Sequence, residues 1–392
     1  MSAAAPARHT GADVLSPAAT PIGRMLGAMA IALALAGASC AAHAGSTVRV
    51  LLAVVPSATV TAQGAHSGRT DDGHAFSSPT GLAWPVTLAD GRLVTDGHAL
   101  GTRLTITGHG APLAFRGRRY RGSITLSASA SGIEVVNALD IESYLRGVVP
   151  AEMSASWPMA ALKAQAVAAR SYALSLVGSH GGYDLCADVR CQVYRGLDAE
   201  NARSDAAVQG TAGIVVTYDG AVARTYYHAD SGGVTASSGE VWGTPIPYLV
   251  ARPDATGATG PDRWQVRIAP SLAGAGLARL GLNVGSVSRL RVLTRSPSGR
   301  VDGLEVAGSD GSVSLNRAQL ATLAPLWGLK SMRFSVTGAL TVLGEGWGHG
   351  VGMSQDGARA LAERGYDYTQ ILGYYYPNTR LVRYVYQTAA GR

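Results

Sequence analysis

Aromatic side chains are scarce, at 6% of 392 residues, and Lys and Arg are scattered along the chain. With no zinc-finger, helix-turn-helix or RNA-binding signature either, nucleic acid is excluded as the target. The apolar run Leu26 to Ala38 is too short to span a bilayer comfortably, which disfavours a permanent membrane anchor. His66, His74, His98 and His109 have no ligand spacing and read as turn or surface histidines. The glycine string GEGWGHGVGMSQ (344 to 355) lacks the terminal Lys-Ser/Thr of a phosphate cradle, so no nucleotide is expected. Cysteine occurs only three times, as Cys40, Cys186 and Cys191.

What is present points outward from the cell. Arg24 precedes the apolar run, and Ala42-His43-Ala44 follows as an A-x-A cleavage site, so residues 1 to 44 read as a secretory signal. Lipidation at Cys40 is the weaker reading, because Gly37 stands where such a signal normally has Leu. The expected location is the periplasm or the cell wall and extracellular space. The net charge of +7 falls to +6 without that leader, which suits an acidic envelope partner. Fifty glycines and many Val, Ile and Thr runs indicate a β-rich protein with many turns.

The chain is organised around Tyr144 to Leu176, where a lone carboxylate lies beside a helix carrying polar residues. Strand or loop is expected from Ile141 to Val149, with Pro150 opening a new element that holds Glu152 at its boundary. Ser156 is the expected N-cap of a helix from Met159 to about Val177, with Pro158 in its first turn. Leu162, Ala166, Ala169, Ala173 and Leu176 form the buried stripe; Lys163 and Arg170 lie on an adjacent one, with Gln165 at the border. These cations near Glu152 suggest a polar-substrate site, against the alternative of a solvated helix edge.

The string GVVPAEMSASWPMAALKAQAVAARSYAL resembles the signature of the SpoIID/LytB family of bacterial cell-wall proteins. CQVYRG (191 to 196), TYYHADSGGVTASSGEVWG (225 to 243), PYLVARPD (247 to 254) and GWGHGVGMSQDGARALAERGYDYTQILGYYYP (346 to 377) extend the likeness in the same order, over roughly residues 113 to 386. The resemblance implies lytic transglycosylase action on peptidoglycan glycan strands, including strands lacking stem peptides. Under that hypothesis Glu152 is the acid/base, and Lys163, Gln165 and Arg170 are expected to hold acetamido or lactyl groups. The resemblance also places Tyr227, His228 and Ser231 in the substrate groove; His349, Ser354 and Gln355 join that binding set. Relatives of the LytB type imply a second role, a non-enzymatic enhancer whose partner is a cell-wall amidase.

Other readings stay open. Asp140 or Glu142 could supply a second carboxylate, and His228, Asp230 and Ser231 contain the residue types of a nucleophile triad. Cys186 and Cys191 are first a disulfide pair; the second reading is zinc, disfavoured because Arg190 stands where zinc-binding relatives have His. No metal or cofactor is otherwise expected. Tyr374, Tyr375 and Tyr376 suit sugar stacking or a core equally. The expected fold is α+β, β-rich with a long central catalytic helix: a small β module (45 to 112), a catalytic domain (113 to 386) and an inserted α+β arm (255 to 335).

Overall fold

The structure, a computed structural model, describes residues 47–384 except 180, 258 and 259. The expected leader, with Arg24, Cys40 and Ala42 to Ala44, lies outside the described residues. No helix among them is long and apolar enough to cross a membrane. The content is mixed, with more strand than helix distributed over several sheets.

The first strand, Thr47–Val55, shows why the region cannot be divided at residue 112. Its alternating buried face pairs antiparallel with Gly132–Asp140, Thr47 opposite Asp140 and Val55 opposite Ile133, and its other edge runs parallel to Leu185–Cys186. Ser123–Ser129, Arg103–Gly108, His66–Thr70 and Ala75–Ser78 complete a seven-stranded sheet. Pro56, which has no N–H for a ladder, separates this first strand from Ser57–Ala62, which belongs to a second, six-stranded sheet. Val48, Ile106 and Leu126 of the first sheet and Val60, Val86 and Leu93 of the second are buried in one core. The expected N-terminal module is therefore part of the main body. Pairing across some 85 residues leaves no trace in local sequence pattern.

Helix α1 spans Ile141–Glu152, with the Asp140 carboxylate accepting the Ser143 N–H at 3.0 Å. The expected strand and helix break are thus corrected. Pro150 falls in the last turn, where it removes a single donor without stopping the helix, and Glu152 is its final residue. Helix α2, Met159–Leu174, follows after Pro158 at the N-cap; Ser156 does not cap it, its own N–H instead facing the Ser154 hydroxyl at 3.4 Å. α2 is buried nearly all round, not along one stripe, between α1, the helices Ala202–Gln209, Gln355–Glu363 and Tyr368–Tyr375, and the strand Ile214–Tyr218. Its many alanines permit that enclosure, because small side chains let neighbouring backbones approach.

Burial decides what Arg170 does. Fully enclosed, it grips Glu142 with two hydrogen bonds of 2.9 and 2.6 Å and also donates to the Ile214 and Val208 carbonyls. This pair ties α1, α2 and the following segment together and occupies the guanidinium that sequence reasoning had assigned to substrate. Lys163 turns the other way, its ammonium 6.0 Å from the Tyr368 ring centroid.

Residues 263 to 345 fold around a second core containing Trp264, Leu290, Leu304, Leu320, Trp327 and Val342. One three-stranded sheet orders Arg263–Arg267, Thr341–Glu345 and Phe334–Val336; another orders Val287–Arg295, Val301–Gly308 and Gly311–Asn316. The arm accordingly begins and ends later than the expected 255 to 335, because its closing strand pairs with its opening one, Arg263 opposite Glu345.

Arg170→Met is expected to lower the unfolding free energy by about 3 kcal/mol, since Glu142 stays three-quarters covered without its cation. Lys163→Ala should cost under about 0.5 kcal/mol. Urea denaturation compares them, and equally small losses would contradict the tie described here.

Candidate active site

Glu152 ends α1 at the floor of a cleft of about 570 Å³. Three further segments close around it: the turn after Cys186, Tyr226 to Ala229, and the glycine string with Trp347, His349 and, beyond it, Gln355. Glu152 is the only carboxylate among the described lining residues. A helix of twelve residues separates it from Asp140, about 18 Å along the axis, and Glu142 is held by Arg170. Neither could act with Glu152 across one glycosidic bond, which requires carboxyl groups within about 10 Å.

The carboxylate is surrounded by donors. Glu152 Oε1 accepts the Val193 N–H at 2.7 Å, and the Gln355 and Tyr227 side chains lie close enough for their donors to favour the charged form. A buried relay holds the Tyr227 hydroxyl in place. Gln192 accepts the Tyr144 hydroxyl at 3.0 Å and donates to both the Ala169 carbonyl, at 3.2 Å, and the Tyr227 oxygen, at 3.0 Å. With its oxygen already accepting from Gln192, Tyr227 keeps its own O–H free to donate within the cleft. Gln165 sits behind the cleft, its oxygen 3.4 Å from the Gln355 amide nitrogen.

Burial pushes the Glu152 pKa above the ordinary glutamate value, while the Val193, Gln355 and Tyr227 donors and the Arg195 charge oppose the rise without cancelling it. Its place at the negative end of the α1 dipole also disfavours the anion. A carboxyl group is therefore kept ready to hold a proton.

Cys186 and Cys191 are joined by a disulfide, and its small loop carries Val189, Arg190 and Cys191 into the cleft wall just before Val193. Tyr226 packs on Trp242 at 4.4 Å between centroids, and Trp242 on His349 at 5.3 Å. Trp242 and Trp347 remain 43% and 50% exposed, leaving flat apolar surfaces at the mouth. The glycine string can lie against this wall because Gly352 has φ +75° and any Cβ there would meet the Tyr226 carbonyl at 2.0 Å. Tyr227 and His228 pair with Met353 and Ser354 as short parallel strands.

Both cleft histidines are neutral at neutral pH. His228 Nδ1 donates to the Val351 carbonyl at 3.1 Å, leaving Nε2 an acceptor, while His349 Nδ1 accepts the Val351 N–H at 3.0 Å. Burial, with Arg300 nearby, lowers the His349 pKa to about 4; burial, His349 and Arg300 lower that of His228.

Tyr227, His228, His349 and Gln355 thus gather around Glu152, but other expected contacts do not. Ser231 is buried, donating to the Asp254 carboxylate and accepting the Gly233 N–H. Ser354 is buried as the N-cap of Gln355–Glu363. Asp230 accepts the Gly232 and Asp262 N–H groups, so no triad forms with His228. The Tyr375 and Tyr376 rings are core, with hydroxyls on Asp254 and the Tyr226 carbonyl. Sequence reasoning missed Tyr144, Gln192, Trp242 and Trp347. The two tryptophans and Gln192 stood inside quoted motifs, but only the fold shows which way they face.

A single half-buried acid at the end of α1, between aromatic walls and beside the enclosed alanine-rich α2, defines a class of cleft protein. A family model described as stage II sporulation protein matches residues 129–218, and one for a domain of unknown function, DUF8618, matches residues 262–352. The chain is 34% identical over 274 residues to an uncharacterised protein of Brachyspira hyodysenteriae, covering 68% of this chain and 73% of that one. It is 28% identical over 290 residues to the stage II sporulation protein D of Bacillus subtilis, covering 67% and 82%. It is 32% identical over 289 residues to the Bacillus subtilis amidase enhancer, covering 61% of this chain but only 40% of that protein's length. The chain belongs to the SpoIID family.

His349 contributes stability that is present above its unfolded pKa of 6.5 and lost as pH falls toward about 4. Wild type should lose at most about 3 kcal/mol through this group between pH 7 and pH 4, and His349→Asn should show a correspondingly shallower decline. Urea melts across that range test it; parallel curves would contradict the neutral, half-buried imidazole.

Proposed function

We propose that this protein has a cell-wall role and cleaves peptidoglycan glycan strands as a lytic transglycosylase with Glu152 as the one acid/base. The lone raised-pKa carboxyl group in an aromatic-walled cleft carries this reading. Protonated Glu152 gives its proton to the glycosidic oxygen as the bond to C1 breaks. The resulting carboxylate then takes the proton of the sugar's own 6-hydroxyl as O6 attacks C1, closing a 1,6-anhydro ring. The cycle needs no second carboxylate, water, metal or cofactor, and the Val193, Gln355 and Tyr227 donors steady the anion between its two steps. Trp242 and Trp347 offer faces for sugar rings. Strands without stem peptides are the proposed substrate. The disulfide fits an exported protein in an oxidising compartment.

The 32% identity to a protein named amidase enhancer favours a second reading. In it the same cleft binds glycan without cutting and presents it to a cell-wall amidase.

Incubating wild type and Glu152→Gln with intact and peptide-stripped strands, followed by mass spectrometry, separates these readings. Anhydromuramic ends from wild type, reduced at least about a hundredfold in the variant, are expected. Reducing ends would mean hydrolysis, and retained binding without any cleavage would favour the enhancer.

A further inference from the structure

The basic surplus of the chain is not evenly spread in three dimensions. Residues 263 to 345 hold ten Lys+Arg against four Asp+Glu, whereas the other 309 residues hold 23 against 22. Nearly all of the +7 net charge therefore belongs to the arm.

Within the arm, Arg291, Arg317 and Arg333 are paired with Glu305, Asp302 and Glu345. Arg300 is buried, donating to the Val234 and Ser231 carbonyls. Exposed arginines remain, and three of them share a face. Trp264 points into the arm's core, so Arg263, Gln265 and Arg267 line the opposite, exposed side of their strand. Gln265 lies opposite Leu343, which lies opposite Ser335. The Arg295 guanidinium reaches that same row, donating to the Phe334 carbonyl at 2.8 Å and to the Ser335 hydroxyl at 3.4 Å. Arg295, Arg333, Ser335 and the 45% exposed Leu343 line a groove of about 270 Å³, with Glu345 beside Arg333 as its one acid. Strand spacing makes the row about 15 Å wide, and Arg263 and Arg267 are about 13 Å apart along it.

We propose that this face of the arm binds a linear phosphodiester polyanion of the cell envelope. Forked guanidinium donors match phosphate oxygens, and cations spread over such an area engage successive charges of an extended chain. Charge complementarity selects the partner, and the disulfide's oxidising compartment favours an envelope polymer over nucleic acid. The face is separate from the cleft and would hold the protein on the wall whichever chemistry the cleft performs.

The test is binding of the full chain to immobilised poly(glycerol phosphate) between 50 and 300 mM NaCl, for wild type and for Arg263→Gln/Arg267→Gln/Arg295→Gln. Wild type should bind with steep salt dependence. The triple variant should bind at least about tenfold more weakly, with the slope of log Kd against log salt reduced by about 2 and the melting temperature nearly unchanged. No binding by wild type, equal binding by the variant, or equally tight binding of duplex DNA or polyglutamate would overturn the proposal.

Discussion

A carboxyl group placed at the carbonyl end of a helix and largely removed from water is costly to ionise, and the main body of this protein is arranged around that cost. Three donors from different segments reach Glu152, and each is itself held in place. The Val193 N–H follows the disulfide loop, Gln355 leans on Gln165 from α2, and Tyr227 is set by Gln192 and Tyr144. A donor set of this kind lets the acid lose and regain a proton without a large rearrangement, because the dipoles that steady the anion are in position beforehand.

The same demand explains the composition of α2. A helix that must touch α1, three later helices and a strand while carrying Gln165 and Arg170 inward can have little bulk, hence its run of alanines. Arg170 is tolerated at full burial only because Glu142 and two carbonyls satisfy it. Arg300 plays a comparable part at the other wall. Rising from the arm, it bonds the Ser231 and Val234 carbonyls and sits where any Cβ at Gly350 would stand. The arm thereby supports the glycine string that presents Trp347 and His349.

Much of the candidate site could be read from sequence, and the misreadings have physical causes. Glu152, Tyr227, His228, His349 and Gln355 lie in long motifs, and the structure brings all five to one cleft. Lys163 and Arg170 were misassigned because helical spacing reports a face without saying what covers it. Arg170 meets Glu142, a residue 28 positions earlier whose approach depends on α1 being a helix. That helix was itself hidden by Pro150, read as a break although α1 carries it two residues before its end, at the cost of one donor and of crowding against the carbonyl four residues earlier. The N-terminal boundary failed for a related reason: Thr47–Val55 finds its partner in Gly132–Asp140, and long-range strand pairing has no local signature. Ser231 and Ser354 were plausible contacts by residue type, yet both hydroxyls serve backbone turns and caps.

The central claim concerns the proton on Glu152, and the most direct measurement is a carbon-13 NMR titration of its side-chain carboxyl, assigned by difference from Glu152→Gln. The account predicts a midpoint above the ordinary glutamate value, with net displacement upward despite three donors. A midpoint at or below that value would mean that the donors outweigh burial, and that Glu152 is a permanent anion unable to serve as the acid.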